Sequence, residues 1–168
     1  MATNVYTLEV AILEGPVTAE FIDEHPQVMR AIEIRGDQTL EKLHQAIFEA
    51  FDRFEQHMYE FQFGDGPHDC SRGRYTMRTP LNTDAGSGDP AATNLDALGL
   101  EEGQFFGYWF DFGDDWYHQI YVLAVGQTEP KVKYPRVVSR IGDSPPQYAD
   151  WDEDGDYDDE DDYDEDDA

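Results

Sequence analysis

The chain has little of several things, and each shortage excludes something. Cys70 is the only cysteine among 168 residues. No intrachain disulfide can form, and a reducing, cytoplasmic setting is expected. No apolar run approaches the roughly 20 residues that span a bilayer. The opening MATNVYTLEV has neither a basic stretch nor a long apolar core, so no signal peptide is read there. Lysine is scarce, with only Lys42, Lys131 and Lys133.

Lys and Arg total 11 against 38 Asp and Glu, a formal net charge of −27. From Asp150 onward there are 14 acidic residues and no basic one. The remainder still carries −13, so the body is acidic without its C-terminal segment. Phosphate recognition needs clustered Lys and Arg, so direct non-specific nucleic-acid binding is not expected. Attachment to an anionic membrane surface is disfavoured for the same reason. The field allows a basic protein partner. A proteome adapted to high salt would produce the same balance with no partner.

What is present suffices for one compact core: 39% of residues are hydrophobic and 14% aromatic. VYTLEVAIL, residues 5–13, alternates, placing Tyr6, Leu8, Val10 and Ile12 on one face of a strand. Gly15, Pro16 and Pro26 then break regularity. A second strand follows over 28–34, with Ile32 and Ile34 facing in. Arg30 falls on that same side, at a sheet margin or beside a carboxylate. Leu40, Leu43, Ile47, Phe51 and Phe54 recur at three and four residues, one stripe of a helix N-capped by Thr39. Residues 57–64 read as a strand, 64–94 as a loop-rich insertion with a short strand, and 95–100 as a single helical turn. Two aromatic strands, FFGYWFDF and WYHQIYVLAV, flank Gly113, Asp114 and Asp115. Residues 131–146 read as irregular.

This order predicts an α+β domain over 1–146: a mostly antiparallel mixed sheet, one main helix packed on one face, β-grasp-like. Residues 147–168 form an acidic low-complexity tail, expected to be disordered.

HPQVMRAIEI, TLEKLHQAIFEAF, HMYEFQFG, FFGYWFDFGDDWYHQI, YPRVV and the Pro145–Pro146 pair, in that order, resemble the plasmid pRiA4b ORF-3-like family. DFGDDWYH is the most specific piece. The resemblance implies an α+β fold and brings no established activity. Some members carry a resolvase label. A serine recombinase needs its nucleophile inside an arginine-rich site, and the nearest match, Ser71 in CSRGR, sits in a Gly-rich loop. The label is not carried over. Where family members often follow Pro-Pro with Glu-Asp and a Gly pair, this chain has Gln147, Tyr148 and Ala149.

Candidate sites are weighed against structural roles. Asp111, Asp114 and His118 form the candidate catalytic set. The competing reading is a hairpin whose Gly supplies unusual backbone angles and whose Asp side chains bond nearby amides. That reading is preferred. It leaves His118 buried with Trp116 and Ile120, its hydrogen-bond partner Asp111 or His44. A zinc site from His44, His57 and His118 lacks any close ligand pair. Asp150, Asp152, Asp154, Asp156, Asp158 and Asp161 match most of a calcium loop, with Gly155 at the turn. Position twelve is Asp, with Glu160 one residue early, and no helix can precede the loop across SPPQYA. Weak, diffuse calcium binding by the tail is expected, and no other cofactor. The outer ring set Trp109, Tyr117 and Tyr121 is too aromatic for idle exposure, so a cover is predicted: the 64–94 insertion, the chain after Lys131, or a partner.

The preferred reading is a non-enzymatic protein-interaction module. One alternative is a mimic of nucleic-acid charge that binds a basic DNA- or RNA-binding protein. The other is a metal-dependent or hydrolytic enzyme using His118 with Asp111 or Asp114.

Overall fold

A computed structural model describes residues 3–80 and 86–149. The calcium-loop residues and the rest of the acidic tail beyond Ala149 lie outside the described residues. The fold is α+β, built on a seven-stranded sheet. The strands are β1 (Asn4–Glu14), β2 (Met29–Arg35), β3 (Tyr59–Phe63), β4 (Gly73–Thr76), β5 (Phe105–Phe110), β6 (Trp116–Gln127) and β7 (Arg136–Ile141). Their order across the sheet is β4-β3-β5-β6-β1-β2-β7. All six strand pairings are antiparallel. A β-grasp sheet has a parallel pair at its centre. Here β1 lies between β6 and β2 and runs antiparallel to both.

Alternation places side chains as expected on β1 and β2: Tyr6, Leu8 and Val10 are buried with Arg30, Ile32 and Ile34. The helix α2 (Leu40–Ala50) is capped by Thr39, whose side chain accepts from Lys42 N. Its Leu40, Leu43, Ile47 and Phe48 join one core with the inward residues of β1, β2, β3, β5 and β6. Each such Leu or Ile contributes about 1.5–3 kcal/mol by leaving water.

The helix ends earlier than its apolar stripe. Asp52 adopts φ 56. Arg53 N donates to Phe48 O and Asp52 N to Glu49 O, each at 3.0 Å. These are the two bonds of a Schellman motif, with Asp in the left-handed position that Gly usually takes. The turn shifts the phase by one residue. Phe54, expected on the stripe, is 71% exposed, and Arg53 goes inside instead.

Two elements depart from the sequence reading. The stretch between β1 and β2 holds a short helix, α1 (Ala19–Glu24), N-capped by Thr18. The stretch after Lys131, read as irregular, supplies edge strand β7. Proline just before a strand does not disturb the ladder, because Pro135 precedes β7's first residue. Gln147 is 3% exposed. Its side chain caps the post-helix turn, accepting from Phe54 N and Glu55 N and donating to Glu55 O. The chain past Pro146 therefore packs on the residues after α2 as far as Tyr148. Among the described residues, no helix is long and apolar enough to cross a membrane.

Candidate functional site

The β5–β6 connection runs from Asp111 to Asp115, closed by the pair Phe110–Trp116. Asp111 Oδ1 accepts from Gly113 N at 3.1 Å and Asp114 N at 3.2 Å. Asp115 N donates back to Asp111 O at 2.6 Å. The acids do close the bend. The positive φ values, however, fall on Asp111 (65) and Asp115 (59), and not on Gly113. Asp tolerates this region because its short polar chain bonds locally. The Asp115 carboxylate also accepts from Trp109 Nε1 at 2.9 Å.

His118 has no solvent exposure. Its Nε2 lies 3.3 Å from Arg53 Nη2, and its Nδ1 lies 3.2 Å from Tyr108 O. Arginine only donates. Nε2 must therefore accept, and Nδ1 carries the proton toward the carbonyl. Burial and the Arg53 charge hold this imidazole well below its usual pKa, so it is neutral. The expected partners, Asp111 and His44, are not the ones it takes. Neither Asp111 nor Asp114 bonds to His118, and the sequence's catalytic set is not brought together.

His44 makes a parallel arrangement one helix turn into α2. Its Nδ1 is 2.5 Å from Tyr108 Oη and its Nε2 2.9 Å from Gln56 Oε1. The ring stacks on Tyr59 at 3.8 Å between centroids. Burial pulls its pKa down to about 4. His57 instead meets Tyr148 Oη at 2.6 Å and Asp111 Oδ2 at 3.5 Å. The three histidines thus bond to protein groups, with Tyr108 shared by His44 and His118, and no group of three or more metal-ligating side chains forms among the described residues.

Sequence reasoning missed the residue at the middle of this layer. Arg53 is 6% exposed, with its guanidinium 4.3 Å above the Trp116 ring and 5.1 Å from that of Phe110. Burial lowers its pKa to about 10, against the opposing pull of Asp111. Arg53 Nε and Trp116 Nε1 have no hydrogen-bond partner among the described residues. The available signal was the alternation of helix and stop: an Asp-Arg pair immediately after the last buried Phe. Arg30, flagged by its inward register, is better supplied. It donates to the carbonyls of Met29, Ala50, Ile141 and Gly142 and to Ser144 Oγ.

The opposite face of the sheet carries a cleft of about 540 Å³. Leu13, Phe105 and Tyr117 give it apolar walls, and Gln62, Gln104 and Gln119 line it with carboxamides. Tyr117 lies flat across β5 because position 107 is glycine: a Cβ there would stand 2.1 Å from Tyr117 Oη. That hydroxyl donates to Gln62 Oε1 at 2.8 Å. Gln62 in turn donates to the buried Glu60, which also accepts from Thr76 Oγ1, both at 2.7 Å. The 64–72 loop forms one wall, and its His68 packs edge-on against Trp109 at 5.1 Å. The insertion therefore covers the Trp109–Tyr117 end of the outer face. Farther along, Tyr121 meets only half cover beside Phe105, their ring centroids 4.7 Å apart.

Asp65 and Arg72 are the cleft's oppositely charged pair, bonded to each other at 2.8 Å. No lining residue is a histidine or cysteine. The cleft can hold a ligand by apolar contact and amide hydrogen bonds, and it presents no poised acid–base pair.

The model of the plasmid pRiA4b ORF-3-like protein matches residues 16–159. The chain belongs to the plasmid pRiA4b ORF-3-like family. The fold is also similar to the crystal structure of a protein of unknown function from Methanosarcina mazei Go1, at 20% identity and a TM-score of 0.67. That likeness covers 88% of this chain and 74% of the other, and it speaks to fold alone. No curated protein matches the chain. DFGDDWYH, the most specific stretch of the resemblance, serves here as a turn and the start of a core strand.

Proposed function

We propose that the protein is a non-enzymatic interaction module that takes a protein partner on the outer face of its sheet. One observation carries the reading. The cleft's charged side chains neutralise each other, and what remains is aromatic, aliphatic and carboxamide. Such a lining suits a peptide segment held by packing and amide bonds. The cleft continues into uncovered apolar side chains: Phe105 is 49% exposed and Leu13 46%. Exposed apolar patches with a polar rim mark interaction sites. The partner is basic, because a chain of net charge −27 attracts and orients cations before contact.

A pull-down at moderate salt tests this. Wild-type chain should retain a basic protein, and Phe105→Ser with Leu13→Ser should lose it at unchanged thermal stability. Recovery of no basic protein would remove the proposal. Equal recovery by the double variant would move the interface off the cleft.

The acidity favours a second reading, a mimic of nucleic-acid charge. In that case added DNA should displace the retained protein, and the cleft variants should retain it undiminished.

A further inference from the structure

Against its acidic background the body has a basic groove. It lies between α2 and the segment leading into β7, with a volume of about 380 Å³. Lys42, Lys133, Arg136 and Arg140 line it, four of the chain's 11 lysines and arginines. All four are exposed. Arg136 already meets Glu33 at 2.8 Å, and Arg140 donates to Ala50 O at 2.7 Å. A guanidinium has five N–H donors, so neither bond exhausts its side chain. Glu49 is the lone carboxylate in the lining, and it accepts from Gln45.

We propose that this groove is the docking site of the protein's own acidic C-terminal segment, residues 150–168. Charge is the first argument. The segment carries 14 acids and no base, the strongest anionic stretch in the chain. Position is the second. The described chain leaves at Tyr148–Ala149, where Tyr148 Oη bonds to Glu55 and to His57 Nε2. Between those two residues, Gln56 donates to Gln45 Oε1 at 3.2 Å, and Gln45 lines the groove. The root of the segment is thus joined to the groove's wall through Tyr148, the 55–57 backbone and the Gln56–Gln45 side-chain bond. Reach is the third. Nineteen residues extend up to about 60 Å, so the groove is well within range. Tethering holds the segment near the groove at an effective concentration on the order of millimolar, which a free acidic peptide would have to exceed. The contact is electrostatic and exposed, so it weakens as salt shortens the screening length from about 10 Å at 0.1 M to about 3 Å at 1 M.

Carbodiimide coupling of the full chain tests the proposal, since it joins a carboxylate to a lysine only in contact. The chain has three lysines, and Lys131 does not line the groove. At low salt, residues 150–168 should couple within one chain to Lys42 and Lys133, several-fold more than to Lys131. The coupling should vanish at 1 M salt, and Arg136→Glu with Arg140→Glu should reduce it several-fold at low salt. Arginine does not couple under these conditions, so the two groove arginines are read only through their effect on the lysines. Arg140→Gln alone backs the paired variant, because it removes charge without adding a carboxylate, and it should lower the coupling in the same direction. Equal coupling to all three lysines, or coupling only between differently labelled chains, would overturn the proposal.

Discussion

Tyr108 and Trp109 are neighbours on β5 with opposite surroundings. Tyr108 faces α2, 1% exposed, bonded through its hydroxyl to His44 and through its carbonyl to His118. Trp109 faces away, half-buried, with its N–H on the turn's Asp115 and its ring against Phe112 and His68. On the inner face the polar groups other than Arg53 Nε and Trp116 Nε1 are held by one another, because a buried polar group without a partner is costly. On the outer face they meet loops and solvent, and a ligand can compete for them. The residues that looked chemical in the sequence, His118 and Asp111, belong to the inner face and its closing turn. The surface available for binding lies behind them.

The contrast can be broken first at Trp116. Trp116→Ala removes the ring under Arg53 and leaves a buried cation over a cavity, so unfolding free energy in urea should fall by about 3–5 kcal/mol. A loss under about 1 kcal/mol would mean that the inner layer is looser than described.

Acid should come next. His44 and His118 are neutral in the fold and take up a proton near pH 6.5 when unfolded. Their folded pKa values are depressed. The stability at stake is whole above about pH 6.5 and falls in acid by up to about 1.4 kcal/mol per pH unit for each, His44's share being lost as pH approaches about 4. Urea midpoints at pH 7 and pH 5 measure it, and His44→Gln should flatten the slope.

Asp111→Ala strips the acceptor for two turn amides and places Ala at positive φ, costing about 1–2 kcal/mol. The same change at Asp114 should stay within about 0.5 kcal/mol. The smallest effect belongs to the outer face: Phe105→Ser should change stability by no more than about 0.5 kcal/mol while abolishing partner retention.

Much of the inner face was legible because periodicity reports burial directly. β1, β2, α2 and the paired aromatic strands follow from alternation at two and recurrence at three to four residues. The turn was legible from its Asp and Gly content, although the backbone put its left-handed residues on Asp111 and Asp115. What escaped depends on single residues at element ends. Asp52 stops α2 before its stripe reaches Phe54 and turns Arg53 inward, which no periodic count foresees. Edge strand β7 escaped because its exposure pattern is nearly continuous, with no alternation to read. The candidate cleft escaped because its walls come from β1, β3, β5, β6 and the 64–72 loop, brought together only by strand order.

Among the described residues, no strand pairs with the outer side of β7. An open ladder is a template on which further copies could stack end over end. If two copies met there in antiparallel register about Val138, Arg136 of one would stand opposite Arg140 of the other, and like charges so placed repel. The bulge opposite Ala31 and Ile32 kinks the same strand out of flat register. Crowded solutions of this chain should therefore resist fibre growth from that border, even though Val138 and Ile141 sit bare upon it.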